Sequence, residues 1–208
     1  MQIDFLGGNC VRVKTKQVRI VFDDNLKALG KKTVTISEDV SCVSNVSIVG
    51  ENEKSRISFC MPGEYEVGDT MVSGIAAQAH IDEKGTKNAT IFRAITPEFK
   101  FAVVGHIAAD ISEDQLEAIG VVDILFIPVG GGGYTLDAVS AAKIAKQIDA
   151  KLVVPTHYDD KSLTFEVPQT SPEEFIKIMG LDVRKVGSST IKLKKSDLGE
   201  KAEVLLFE

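Results

Sequence analysis

The chain has little cysteine, no long apolar run and no excess of basic residues, and each shortage excludes a class of protein. Three cysteines, Cys10, Cys42 and Cys60, stand at wide and unpatterned spacing in 208 residues. An odd number of cysteines without a repeating spacing fits neither a disulfide framework nor a cysteine-rich zinc site. We therefore expect small buried thiols in a reducing compartment.

No apolar stretch approaches the ~18 residues that a membrane-spanning helix needs. Residues 1–5 enter an apolar and polar alternation in place of an export signal. We therefore expect a cytoplasmic chain without a membrane partner. The net charge of −6 is opposite to the basic excess with which nucleic-acid-binding proteins neutralise phosphates, so we expect no nucleic-acid partner.

The first half of the chain is predicted to form many short strands. Runs rich in β-branched residues, separated by Gly, Pro, Asn or Asp, are typical of such strands. This number of strands is too large for a simple doubly wound sheet. The segments are residues 2–6, 11–14, 18–22, 33–36, 46–49, 55–60, 70–75, 89–95 and 99–104.

Helices are predicted in the second half of the chain. Ser112 and Gln115 have the spacing of a capping box, and Gly120 closes the helix that they begin. Ser171 is a predicted N-cap with Pro172 at the first helical position. The predicted helices lie at residues 112–120, 137–148 and 171–180.

Buried strands separate and follow these helices. Residues 121–129 form a nearly continuous apolar run, which is typical of a strand covered on both faces. Strand-rich halves with helices outside them predict an αββα sandwich, and the length is that of a single domain over residues 1–208. The remaining predicted strands are residues 151–154, 182–185, 190–193 and 202–207.

Several short motifs, taken in order, resemble one known superfamily. The most specific is Asp123-Ile124-Leu125 through Pro128-Val129-Gly130, followed by Tyr134-Thr135-Leu136. The others are Phe5-Leu6-Gly7-Gly8-Asn9-Cys10, Val21-Phe22-Asp23, Pro62-Gly63-Glu64-Tyr65-Glu66-Val67 and Val154-Pro155-Thr156-His157-Tyr158. Over its whole length the chain resembles the metallo-β-lactamase superfamily, in particular its lactonase-like branch of zinc-dependent hydrolases similar to ascorbate-phosphate lactonase. The resemblance implies an α/β fold, the four-layer αββα sandwich of that superfamily.

The residues that define the metal centre of this superfamily are largely replaced. The superfamily's His-x-His-x-Asp-His motif matches the segment after Ser44, where the ligand positions are Asn45, Ser47, Val49 and Gly50. In the superfamily two metal ions hold a hydroxide between them, and each ion needs three or more protein ligands. The resemblance therefore implies that the usual dinuclear centre does not form.

Three histidines fall at or beside positions that converge in the superfamily's fold. The resemblance places His80 and His157 at ligand positions, and His106 where a bridging aspartate stands in the superfamily. They can form a three-histidine site for one divalent metal ion, zinc being the best candidate, with one open position. They can also be remnants that hydrogen-bond to each other, to water or to nearby carboxylates, or they can form an anion-binding pocket. Asp23 matches an aspartate that supports the ligands as a hydrogen-bond acceptor, and a role in a turn is the alternative.

Other residues near the expected site each have a functional and a structural interpretation. Glu64 and Tyr65 can offer an acid and a donor, or form a surface turn. Asp159 and Asp160 can help to bind a cation, or be solvated. Cys42 can add a thiolate ligand, or be buried in a strand. The run Gly130 to Gly133 lacks the Lys-Ser/Thr of a phosphate-binding loop, so we expect it to form the rim of the site.

Two functions remain open from the sequence. The first is a non-catalytic member of the superfamily that binds a small molecule. The second is an active hydrolase of a small lactone, ester or phosphoester, which uses a rebuilt single-metal, three-histidine site. The residues point to no redox cofactor or nucleotide, name no catalytic residue or substrate, and leave a homo-oligomer possible.

Overall fold

The computed structural model describes residues 1–50 and 54–207. The strands are β1 (Gln2–Gly7), β2 (Cys10–Lys14), β3 (Arg19–Phe22), β4 (Val40–Cys42), β5 (Ile57–Phe59), β6 (Gly63–Val67), β7 (Thr70–Ala77), β8 (Ala89–Ile95), β9 (Lys100–Val103), β10 (Ile124–Pro128), β11 (Leu152–Thr156), β12 (Asp182–Lys185), β13 (Thr190–Lys192) and β14 (Glu203–Leu206). The helices are α1 (Val46–Val49), α2 (Glu113–Ile119), α3 (Ala138–Ile148) and α4 (Glu173–Met179), with a 3-10 turn at Lys195–Asp197.

The strands form two mixed sheets, as the predicted sandwich requires. The smaller sheet has the order β13-β1-β2-β3-β4-β5, and the larger has the order β12-β14-β11-β10-β9-β8-β7-β6. In the larger sheet β9, β10 and β11 run parallel. All of β10 is buried, which confirms the apolar run as a doubly covered strand, although exposed Val121 lies outside it.

The main core lies between the sheets, because alternate residues of each strand point to opposite faces. Val11 and Ile20 belong to this core, together with Phe92, Phe101 and Phe126 of the larger sheet. A second core fills the space between the larger sheet and the helices and contains the small inward residues of α3, namely Ala138, Ala141, Ala142 and Ala145. The α/β sandwich predicted from the sequence is therefore confirmed.

The outer face of the smaller sheet is covered by loop residues. Cys10 of β2 and Val21 of β3 point to this face and pack against Leu26, Leu29 and Leu163. The loop that contains Leu26 and Leu29 follows β3 directly, so this small core holds it against the end of the sheet where the candidate site lies.

The prediction of a strand at residues 46–49 is wrong, because these residues form α1. The side chain of Asn45 accepts hydrogen bonds from the backbone N–H groups of Ser47 at 2.9 Å and Ile48 at 3.3 Å. This is the hydrogen bonding of an N-cap, and it selects a helical turn in spite of the β-branched residues. Gly50, at φ +77°, then ends the turn.

The strand predicted at residues 33–36 is also absent. The carboxylate of Asp24 accepts hydrogen bonds from the backbone N–H groups of Val34 and Thr35, each at 2.8 Å. The side chain of Asp39 accepts from the N–H of Ile36 at 2.8 Å. Because carboxylates satisfy these donors, the segment needs no neighbouring strand.

The predicted helix starts differ in accuracy. The capping box of Ser112 and Gln115 is present as predicted at the start of α2. In α4 the N-cap is Pro172 and not Ser171, since the Pro172 carbonyl accepts from the N–H of Ile176 at 3.0 Å. That helix therefore begins one residue later than the serine–proline pattern indicates.

Candidate functional site

The candidate site lies where several strands end. Asp23 and Ser44 follow the parallel strands β3 and β4, and His106 and His157 follow β9 and β11 of the parallel part of the larger sheet. The carboxyl ends of parallel strands meet at one edge of a sheet, which is the usual place for a site in an α/β protein. The fold thus brings together side chains that are far apart in sequence.

Asp23 and Ser44 hold the backbone of His106. The Asp23 carboxylate accepts hydrogen bonds from the N–H of Ser44 at 2.7 Å and from its hydroxyl at 2.6 Å. The Ser44 hydroxyl oxygen accepts in turn from the N–H of His106 at 3.1 Å. Burial raises the pKa of Asp23 to about 6, although the hydrogen bonds from Ser44 oppose this shift. Asp23 therefore acts on the backbone of His106 through Ser44.

Gly105 allows this close approach. Its φ is +65°, and a Cβ atom built there would lie 2.3 Å from the Cβ of Ser44 and 3.3 Å from a carboxylate oxygen of Asp23. A side chain at this position would overlap Ser44 and would also strain the backbone. The position requires glycine if the contact between Ser44 and His106 is to form.

His106 is completely buried, and its neighbour Tyr134 assigns its tautomer. Its Nδ1 lies 3.4 Å from the carbonyl oxygen of Tyr134, which can only accept, so Nδ1 carries the proton. Its Nε2 therefore has a free lone pair and has no hydrogen-bond partner among residues 1–50 and 54–207. Burial lowers the pKa of His106 to about 4, which keeps the ring neutral near neutral pH.

His157 has the same tautomer for a related reason. Gln169 donates from its side-chain nitrogen to the carbonyl oxygen of Val167 at 3.0 Å, which turns its Oε1 toward Nδ1 of His157 at 3.1 Å. Nδ1 is then the donor, and Nε2 has the lone pair. The backbone of His157 is at φ +49°, and its N–H donates to the carbonyl oxygen of Gly8 at 2.8 Å.

The two imidazoles face each other edge to face. Their ring centroids are 5.3 Å apart and their planes make an angle of 84°. Burial, and then the neighbouring His106, lower the pKa of His157 to about 4. The site therefore contains two neutral rings whose remaining nitrogen atoms are both hydrogen-bond acceptors or metal ligands.

Both histidines line a cavity of about 240 Å³. Apolar side chains from the loop after β3, from α1 and from the segment before Gln169 form much of its wall. The sequence analysis missed most of the lining, since isolated loop residues carry no periodic signal. The lining residues with polar or aromatic groups that it missed are Asn25, Phe165, Glu166 and Gln169.

His80 stands apart from this pair. It is exposed in a turn, and the adjacent Ile81, but not His80, lines the cavity. In the part of the chain that the structure describes, no group of three or more His, Cys, Asp and Glu residues has an arrangement that can hold a metal ion. The three-histidine metal site stays a prediction, with His106 and His157 brought together and His80 outside the cavity.

The segment matched to the metal motif does not present a ligand set. The Oδ1 atom of Asn45 is engaged as the cap of α1, and Ser47, Val49 and Gly50 offer no imidazole or carboxylate. Ser47 lines the same cavity as the histidine pair. These residues do not fit a dinuclear metal centre.

The other candidate residues lie outside the cavity. Tyr65 stacks on Phe59 and donates to the carbonyl oxygen of Met61 at 2.7 Å, and Glu64 accepts from Ser73 at 2.7 Å, so both belong to a hairpin at the sheet edge. Cys42 is fully buried in β4, and burial raises the pKa of its thiol.

The remaining candidates border the site or a neighbouring groove. Asp159 and Asp160 line a separate groove beside Phe5 and Tyr158. Gly130 packs against the backbone of His157, because a Cβ there would lie 2.0 Å from the His157 carbonyl oxygen, but none of residues 130–133 lines the cavity of the histidine pair.

Comparison with known proteins identifies the family. A family model described as the beta-lactamase superfamily domain matches residues 2–157. The chain therefore belongs to the β-lactamase superfamily, and the resemblance inferred from its motifs is confirmed at that level.

No helix among the described residues has the length and apolarity needed to cross a membrane.

Two curated relatives are described as metal-dependent hydrolases. One, from Hyperthermus butylicus, is 36% identical over 75 residues, which are 36% of this chain and 30% of the relative. The other, from Anoxybacillus flavithermus, is 38% identical over 58 residues, which are 28% of this chain and 24% of the relative. The chain matches less than a third of the length of each relative, so these matches show similarity over a segment and carry no activity over to this chain.

Solved structures extend the similarity over the full chain. A structure from Thermotoga maritima, described as a proposed zinc-dependent hydrolase of the metallo-β-lactamase superfamily, superposes with a TM-score of 0.76 at 23% identity and covers 100% of this chain and 99% of its own. A metallo hydrolase from Ignicoccus hospitalis gives a TM-score of 0.64 at 14% identity and covers 100% and 94%. At these identities the likeness establishes the fold.

Proposed function

We propose that this chain is a small-molecule-binding member of the superfamily that does not assemble the dinuclear metal centre. The proposal is supported by the hydrogen bonding of Asn45, whose side chain caps a helical turn at the first position of the metal motif. The rest of that segment has no side chain that replaces the missing ligands. The fold then retains a cavity without the metal-binding residues that define its hydrolytic relatives.

The observation that carries the binding role is the pair of buried imidazoles at the cavity. His106 and His157 are held by hydrogen bonds through Nδ1, and the free Nε2 of His106 is buried without a partner. A buried polar atom without a partner costs about 1–3 kcal/mol, and such a cost is recovered when a ligand supplies the missing hydrogen bond. A ligand in this cavity supplies it.

A thermal-shift screen with a library of small fragments, in buffer freed of metals by a chelating resin, tests the proposal. Fragments that bind the cavity should raise the unfolding temperature of the unmodified chain and fail to do so for His106→Phe, which replaces the imidazole with an apolar ring. His80→Gln, at the exposed histidine, is the matched control and should respond like the unmodified chain. The proposal is refuted if no fragment stabilises the chain, or if every stabilising fragment acts equally on His106→Phe.

The second candidate function is an active hydrolase with a single metal ion bound by His80, His106 and His157. Two observations favour it: the relatives are described as metal-dependent hydrolases, and the tautomers of His106 and His157 are those of metal-ligating histidines. A bound zinc ion would supply an activated hydroxide. In the described part of the chain, however, the cavity offers two imidazoles and no third ligand. These residues therefore do not fit a zinc ion, and we derive no catalytic step through one.

Metal quantification separates the two functions. The protein is purified without chelators, incubated with excess zinc and desalted, and zinc, manganese and iron per chain are measured. About one metal ion per chain that disappears in His106→Ala and in His157→Ala supports the hydrolase. A metal content near zero excludes the single-metal site.

A further inference from the structure

The cavity that holds His106 and His157 presents hydrogen-bond acceptors and lacks fixed positive charge. Nε2 of His106 and Oδ1 of Asn25 are both buried acceptors without a partner, within the residues that the structure describes. Nε2 of His157 is a third acceptor, since Gln169 engages Nδ1 of that ring. A ligand that satisfies this wall has to donate hydrogen bonds.

The charges around the cavity favour the same kind of ligand. Among the described residues that line it there is no lysine or arginine, and the one charged lining residue is Glu166. An anionic ligand would face lone pairs and a carboxylate without a cation to compensate its charge. A cationic ligand would meet acceptors and a carboxylate.

The apolar part of the lining sets the rest of the ligand. Leu29, Ile48 and Val167 offer aliphatic contacts, and the Phe165 ring stands 5.1 Å from the His157 ring, centroid to centroid. A cation within about 6 Å of an aromatic face is attracted to it. The volume of about 240 Å³ is below the ~300–1,000 Å³ of sites for drug-sized molecules, so the ligand is small.

We propose that this cavity binds a small organic ammonium compound with an apolar body. The ammonium group donates to Nε2 of His106 and of His157, and the apolar body packs against the aliphatic wall. The inference rests on the proposed binding function and names its ligand class. It differs from a site for a phosphate or carboxylate substrate, which would need cations that the lining lacks.

Isothermal titration calorimetry with three probes of matched shape tests the ligand class. The full chain, freed of metals, is titrated near pH 7.5 with benzylammonium, benzyl alcohol and benzoate. We expect benzylammonium to bind most tightly and benzoate not to bind. His106→Phe should weaken benzylammonium binding by about tenfold or more, since a hydrogen bond to a charged group is lost.

Glu166→Gln provides a second test that does not disturb the buried rings. Glu166 is exposed at the cavity mouth, so removing its charge should weaken benzylammonium binding by roughly two- to fivefold, as for an exposed ion pair. Glu117→Gln, with the same change on the exposed face of α2, should leave the affinity unchanged.

The possible outcomes separate this inference from the proposed function. Benzoate or benzyl alcohol binding as tightly as benzylammonium, with loss in His106→Phe, overturns the ligand class and leaves the binding function standing. Stoichiometric binding of zinc alone, lost in His106→Phe, without any benzylammonium binding, assigns the nitrogen pair to a metal and overturns the inference. The absence of binding by all three probes also overturns it, and the fragment screen then decides the binding function independently.

Discussion

Acidification should destabilise this protein through its two buried histidines. Both have a folded-state pKa of about 4, below the ordinary value of 6.5. Between these values the unfolded chain takes up protons that the folded chain does not, so the free energy of unfolding falls as the pH falls through 6.5 toward 4. Above 6.5 the stabilisation is fully present.

The magnitude follows from the size of the shifts and from an opposing group. Between about pH 7.5 and pH 5 each histidine costs about 2 kcal/mol of unfolding free energy by linkage. Asp23 acts in the other direction, because its folded-state pKa of about 6 lies above the ordinary 3.8. Its protonation in the folded chain restores about 1 kcal/mol of unfolding free energy over the same pH interval. The net loss is about 2–3 kcal/mol, which corresponds to a fall in Tm of roughly 5–10 °C for a chain of this length.

Urea unfolding followed by circular dichroism at a series of pH values measures this effect. In His106→Phe one histidine contribution is gone and Asp23 offsets about half of the remaining one, so the loss between about pH 7.5 and pH 5 should shrink to about 1 kcal/mol or less. The exposed-site variant His80→Gln should keep the full pH dependence. An unfolding free energy that stays constant or rises on acidification, or a His106→Phe variant as pH-sensitive as the unmodified chain, would refute the reasoning.

Two further predictions concern backbone positions. Gly105→Ala should lower the unfolding free energy by about 3 kcal/mol, because the new Cβ overlaps Ser44 and also strains a positive φ. The control Gly180→Ala, at φ +66° with nothing within 4 Å, should lower it by only about 1 kcal/mol. Equal losses in the two variants would disprove the overlap. Ser112→Ala removes the cap that accepts from the N–H of Gln115 and should cost about 1 kcal/mol in urea unfolding, whereas a neutral result would show that α2 does not depend on its capping box.

The strands and helices of the second half could be predicted from the sequence because their signals are local. The capping box at Ser112, the small residues of α3 and the apolar run of β10 each depend on neighbours within a few residues. The segment at 46–49 was misassigned because two local signals compete there. Its β-branched residues favour a strand, but the side chain of Asn45 forms a helix cap and determines the conformation.

The candidate site could be predicted only in part. The motifs placed His106 and His157 in one region, and in the structure the centroids of their rings are 5.3 Å apart. Gln169 could not be assigned as the partner of His157, since a glutamine in a loop has no pattern that reveals what it contacts. The position of His80 depends on a turn, and no sequence signal there distinguishes an exposed side chain from one that enters the cavity.

The sequence alone therefore determined the family and the alternation of strands and helices, because these properties depend on which residues occur and in what order. The tertiary structure alone decided which nitrogen atoms of the histidines are free, since the carbonyl of Tyr134 and the amide of Gln169 come from distant segments. It also decided that the cavity is lined by acceptors without a lysine or arginine in the described part of the chain. The chemistry of a ligand site depends on the directions of side chains that converge from several loops, and those directions are set by packing.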